Sequence, residues 1–211
     1  MTRAATDVAA AVRRVDRAFA GVISRHGAPP APRPIRVDRR FSVLATAILH
    51  QQLAGAAARA IHGRVCALVG DPMTPAAVLA ASEIALGECG VSGPKRRSLF
   101  DLAERSLDGT IDFAALSRRS DDEVVEVLST VRGIGVWTAQ MFCLSALGRR
   151  DVWPTGDLGV RMGWTLLHGG GETIAPRDLA ALGEEFRPHR SAVAWYCWRA
   201  VEDARAERAR G

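Results

Sequence analysis

The 211-residue sequence predicts an all-α protein. Three observations carry that expectation. Apolar residues recur at helical spacing through most of the chain. Helix-start signals precede the apolar runs one after another. Alternating patterns of the kind that mark strands are scarce, and no internal repeat is visible.

The elements follow in order. Residues 6–25 have the spacing of an amphipathic helix, and GAPPAPRP (27–34) breaks it as a stiff linker. Asp38 is a candidate cap for a helix through RFSVLATAILHQQL, and another helix covers roughly 56–69. Thr74-Pro75 joins an N-cap to a proline at the first helical position. Gly93-Pro94 opens a helix through KRRSLFDLAERSL, and Ser120 with Glu123 forms a capping box before VVEVLSTV. VRGIG (131–135) then reads as a hairpin leading into an apolar helix over 136–147. The turn region GRRDVWPTGD precedes a helix starting near Asp157; Pro176 starts another, and Pro188 leads into the last.

This length suits one compact domain or two small lobes. No run of 18 apolar residues occurs and the N-terminus lacks a signal-peptide core, so the expectation is a cytoplasmic bacterial protein with access to the nucleoid and no membrane association. Cys66, Cys89, Cys143 and Cys197 never form CxxC, which argues against zinc, an iron–sulfur cluster or a disulfide framework; they read as buried small hydrophobes. His50 reads as structural for the same lack of metal-ligand spacing. The net charge of +5 fits a polyanionic partner, though weakly. Of 28 basic residues all but Lys95 are arginine, a bias that reads as GC-rich coding yet leaves one candidate for a side-chain Schiff base.

The two glycines of VRGIG need a reason, because glycine weakens a helix by about 1 kcal/mol relative to alanine. Gly133 and Gly135 allow a tight turn with exposed amides at a helix N-terminus, which is a phosphate-binding arrangement. A plain αα-hairpin turn is the alternative. Asp157 suits a helix N-cap, where its carboxylate meets the positive end of the helix dipole. Asp151, the competing acid, is expected to cap or to pair with Arg149 or Arg150.

Five segments in this order resemble the helix-hairpin-helix DNA glycosylase superfamily: LATAILHQQLAGAAARAI, GVSGPKRRSLFDLAE, VRGIGVWTAQMF, DVWPTGDLGVRM and RPHRSAVAWYCW. They run nearly the length of the chain and look most like its alkylpurine branch, the 3-methyladenine DNA glycosylases II. The resemblance implies two helical lobes, 38–150 ending in the hairpin and 1–37 with 151–211, binding damaged double-stranded DNA across a cleft as a monomer. It implies a hairpin whose Arg132, Gly133, Gly135, Val136 and Thr138 contact DNA, with Arg96 and Arg97 as further phosphate contacts. A Na⁺ or K⁺ ion would rest on the carbonyls of Ser129, Val131 and Ile134, and no other cofactor is required.

Residue by residue, the resemblance puts the catalytic aspartate on Asp157, where its charge would stabilise the cationic sugar of the transition state. Trp137 and Trp198 fall on aromatic positions of the base pocket, suited to cationic alkylpurines. Two further pocket positions, often tyrosine in the family, are Met141 and Leu158 here, which thins the aromatic lining. Trp153, Trp164 and Trp195 are left to packing. Gln51, Gln52 and Leu53 lie where the family carries the side chain that fills the gap left by the flipped nucleotide, with Gln52 or Leu53 as the wedge. Relatives that cleave the sugar carry lysine at the position of Trp137, so no lyase activity is expected. The four-cysteine cluster of the iron–sulfur branches is absent, and there is no room before residue 40 for the N-terminal β domain of some alkylpurine enzymes. The implied activity is monofunctional excision of alkylated purines such as 3-methyladenine or 7-methylguanine in base excision repair. Excision of deaminated or oxidised bases, and a non-catalytic damage-binding module, are the alternatives.

Overall fold

A computed structural model describes residues 3–210, with side-chain surroundings from residue 7 onward. Twelve α-helices and three short 3-10 segments make up its secondary structure, with no strand among the described residues. No helix among them is long and apolar enough to cross a membrane. The chain divides into two units, one spanning residues 34–147 and the other joining residues up to 33 to those from 148 onward.

Within the second of these, α1 (Arg3–Val15) and α2 (Ala20–His26) replace the single helix expected over 6–25. The break is chemical. Asp16 leaves the helical region and accepts the Ala18 amide at 2.8 Å, capping a 3-10 turn that starts at Arg17. The linker 27–36 carries no regular element.

The 34–147 unit holds α3 (Val37–His50), α4 (Gly55–Val69), α5 (Pro75–Ala80), α6 (Glu83–Glu88), α7 (Gly93–Leu107), α8 (Asp121–Ser129) and α9 (Val136–Ser145). Most start signals act locally as expected. Thr74 accepts the Ala77 amide ahead of Pro75, and Ser120 with Glu123 forms a complete capping box. Asp38 does not cap α3; Arg36 occupies that position and Asp38 sits in the first turn, paired with the Arg36 guanidinium at 3.0 Å. The core includes Phe41, Leu44, Ile48, Leu99, Leu102 and Phe142, with Phe113 edge-on to Phe41.

The other unit adds α10 (Leu158–Leu167), α11 (Pro176–Leu182) and α12 (Arg190–Arg208). Its core is aromatic: Phe19 meets the edges of Trp164 and Phe186, both at 5.7 Å, and Tyr196 at 6.3 Å. Trp153 and Trp164 are buried there, and the Trp153 indole donates to the Leu179 carbonyl at 2.9 Å. Trp195 is half-buried, edge-on to Tyr196 and beneath the Arg199 guanidinium. Burial pushes the Tyr196 phenol up to about 12. Two packings depend on missing side chains. A Cβ on Gly163 would lie 2.0 Å from the Cys197 carbonyl oxygen, and one on Gly183 would lie 2.1 Å from the Trp153 indole nitrogen. The backbones of α10 and α12 therefore touch at Gly163.

Two polar expectations are corrected. Asp151 pairs with neither Arg149 nor Arg150; it takes Arg190 at 2.9 Å and Arg187 at 2.7 Å, because the chain after α11 returns those side chains to it. Of the cysteines, Cys143 and Cys197 are buried, whereas Cys66 and Cys89 are only half-buried.

Candidate active site and hairpin

In the 34–147 unit, the chain leaves α8 at Ser129 and enters α9 at Val136 through the glycine pair. The two glycines serve different purposes. Gly133 has φ +76° and faces α7 so closely that a Cβ would lie 2.5 Å from Ser98 Oγ; both conformation and space demand glycine. Gly135 has an ordinary φ of −96° as the N-cap of α9, and a Cβ there would meet open space. The N-cap of α9 is a glycine that makes no side-chain cap bond, and the first-turn amides lie at the positive end of the dipole. Val136 and Trp137 are about half exposed beside them, at 56% and 49%. Thr138 differs from these two neighbours: its side chain is buried.

Side chains from elsewhere in the unit hold the hairpin. The Arg132 amide donates to Asp101 Oδ2 on α7 at 2.6 Å, and Asp101 Oδ1 accepts from Arg105 at 3.0 Å. Gln51 Nε2 donates to the Gly133 carbonyl at 2.9 Å. Asp101 and Ser98 escape a reading of the sequence because nothing in the spacing of α7 connects them to residues more than thirty positions away. Arg132 is exposed at the hairpin, and Arg97 is exposed on α7. Arg96 is half-buried: its Nη1 donates to the Val91 carbonyl at 2.7 Å and its Nε is buried.

The 51–53 turn leaves the end of α3. Lys95 caps that end, donating to the Leu49 carbonyl at 2.7 Å, and burial lowers its proton affinity. Its ammonium is thus committed to a helix terminus, where a cation is favoured. Gln52 is exposed in the left-handed region at φ +55°, and Leu53 is exposed. Met141 is half-buried one turn along α9 from Trp137, on the same face.

The oxygens expected to hold a monovalent cation suit one chemically, since neutral carbonyls are the donors such ions accept. Val131 and Ile134 are buried, and the Val131 carbonyl accepts the Ile134 amide at 3.1 Å. Ser129 Oγ is buried with no partner, an orphaned polar atom on a residue of the expected set. Among the described residues, no group of three or more His, Cys, Asp or Glu side chains is placed to hold a metal ion.

The carboxylate belongs to the other unit. Asp157 is the N-cap of α10, and its Oδ1 is held by two donors, the Val160 amide at 2.8 Å and the Trp198 indole N–H at 2.9 Å. The second contact joins α10 to α12 and requires Gly159, whose Cβ would lie 2.9 Å from Trp198 Cδ1. Two donors on one oxygen fix the rotation of the carboxylate. Trp198, expected as a pocket aromatic, thus also orients the acid, while its half-buried ring keeps a solvent-facing part. Leu158 follows, 58% exposed. Burial, with the Asp157 charge adding to it, pushes the Cys197 thiol up, so it stays neutral beneath the acid.

A model of the HhH-GPD superfamily of base excision DNA repair proteins matches residues 45–188. The chain is 33% identical over 162 residues to DNA-3-methyladenine glycosylase 1 of Schizosaccharomyces pombe, covering 75% of this chain and 71% of that protein. Its fold is similar to that of the fission-yeast 3-methyladenine DNA glycosylase Mag1 in complex with abasic DNA, with a TM-score of 0.81 at 28% identity, over 92% of this chain and 96% of that one. It is also similar to the DNA-3-methyladenine glycosidase of Bacillus halodurans, with a TM-score of 0.82 at 33% identity, over 93% and 91%.

Proposed function

The chain belongs to the HhH-GPD superfamily of base excision DNA repair proteins, and from that premise we propose that it is a monofunctional DNA glycosylase that hydrolyses the N-glycosidic bond of alkylated purines in duplex DNA. The observation that carries the reading is the Asp157 carboxylate, fixed at a helix N-terminus by the Val160 amide and the Trp198 indole. The relatives named for 3-methyladenine support the substrate class.

The chemistry follows from these residues. The α9 amides and Arg132 grip backbone phosphates, and Gln52 or Leu53 fills the space of the extruded nucleotide. An N3- or N7-alkylated purine carries a positive charge, which an aromatic face attracts, and Trp198 offers one beside Asp157. The C1′–N bond breaks with its electron pair going to the base, which leaves neutral and needs no strong acid. Positive charge develops on the sugar, and the Asp157 carboxylate stabilises it. Water then adds to C1′ and releases a proton. The carbonyls of Ser129, Val131 and Ile134 would hold Na⁺ or K⁺, which would add positive charge where the hairpin meets phosphate. Trp137 stands where lyases have lysine, and Lys95 is engaged by Leu49, so the product is an intact abasic site.

Release assays on duplexes containing 3-methyladenine, 7-methylguanine, uracil, hypoxanthine or 8-oxoguanine test this reading. Methylpurine release is expected without strand cleavage; failure to release either methylpurine would overturn the substrate class. Trp198→Phe keeps a ring and loses the donor to Asp157, so single-turnover release should slow about ten- to a hundredfold, the worth of a hydrogen bond to a charged group. An unchanged rate would remove Trp198 from the orientation of the acid.

A further inference from the structure

One helix supports both turns that the proposed function gives to DNA. From α7, Lys95 holds the Leu49 carbonyl at the end of α3, Ser98 packs against Gly133, and Asp101 accepts the Arg132 amide. Between the two turns runs a direct bond, from Gln51 Nε2 to the Gly133 carbonyl at 2.9 Å. Next to Gln51 stands Gln52 at φ +55°, a conformation costly for a residue with a side chain and maintained only where its surroundings over-determine it. The Lys95 contact falls on Leu49, three residues before Gln52, and the bond to Gly133 on Gln51, immediately before it, so the strained residue has a fixed base.

We propose that Gln51 is a positioning residue: it reads no DNA, but locks the 51–53 wedge turn to the hairpin so that phosphate grip and wedge move as one piece. This deepens the glycosylase reading and rests on it for the identity of the wedge. The physical reason is pre-organisation. A wedge entering a base stack works against stacking, and a turn free to recoil would have to be ordered at that moment. The bond to Gly133 transfers the recoil to a backbone that is already held on its far side by Asp101 and, in the complex, by phosphate. Gln51 thereby contributes to extrusion rather than to affinity.

The test uses a duplex with a tetrahydrofuran abasic analogue flanked by 2-aminopurine, whose fluorescence rises when a wedge unstacks it. The wild-type chain is expected to raise it. Gln51→Ala should bind undamaged duplex within about threefold of wild type while its insertion equilibrium falls about tenfold. Gln51→Glu should fail in the same way, because it faces the Gly133 carbonyl with a carboxylate, and Gln51→Asn should recover part of the signal. Equal insertion by wild type and both failing variants would overturn the proposal, as would parallel losses of duplex affinity and insertion, which would make Gln51 a direct DNA contact. A wild-type chain giving no signal would also overturn it. Normal insertion without methylpurine release would instead sink the glycosylase reading and leave this one standing.

Discussion

Asp157→Asn should lower single-turnover release of 7-methylguanine about a hundred- to a thousandfold, the range for removing a pre-organised charge from a developing one. The fold should survive. Asparagine caps helices as well as aspartate does, and its carbonyl oxygen can still accept from the Val160 amide and the Trp198 indole, which both bind Oδ1 now. The cap and the indole bond are kept while the charge is lost, so affinity for abasic duplex should stay within a few-fold of wild type. Retention of full release by the variant would show that the acid does no chemistry. Loss of release with loss of abasic-duplex binding would mean that the substitution damaged recognition instead.

Gly163→Ala should destabilise the protein by about 2 kcal/mol. Alanine gains roughly 1 kcal/mol in helix propensity, but its Cβ would lie 2.0 Å from the Cys197 carbonyl oxygen, a backbone atom that cannot rotate away. Separating α10 from α12 costs the upper end of the usual overpacking range, roughly 3 kcal/mol. The damage should also reach the site, because these helices carry Asp157 and Trp198, one at each end of the indole bond. Gly63 supplies the control of opposite sign. It lies in α4 with nothing within 4 Å of an added Cβ, so Gly63→Ala should stabilise by about 0.5–1 kcal/mol. Urea unfolding of both variants checks the pair; stabilisation by Gly163→Ala would mean that α10 and α12 do not pack as described.

Much of this protein was legible in one dimension because the interactions concerned are short-ranged. A capping box joins residues three apart, as Ser120 and Glu123 do, and an N-cap acts on its own first turn, as Asp157 does on Val160. Helix class, the hairpin and the lack of a lysine at residue 137 could all be read that way. Local reading went wrong where a competing short-range bond broke the periodicity, as Asp16 does within 6–25.

Contacts between distant residues left no such trace. Trp198 reaches Asp157 across 41 positions, Gln51 reaches Gly133 across 82, and Arg190 claims Asp151 across 39. Nothing local to Gly163 shows that a backbone carbonyl packs against it. The pattern of residues along the chain specifies which faces are apolar and where helices begin; which polar partner completes each bond depends on how those faces meet in space. Asp157 could be picked out as a helix cap by its place in the chain, but the indole bond that also holds it became visible only once α12 lay against α10.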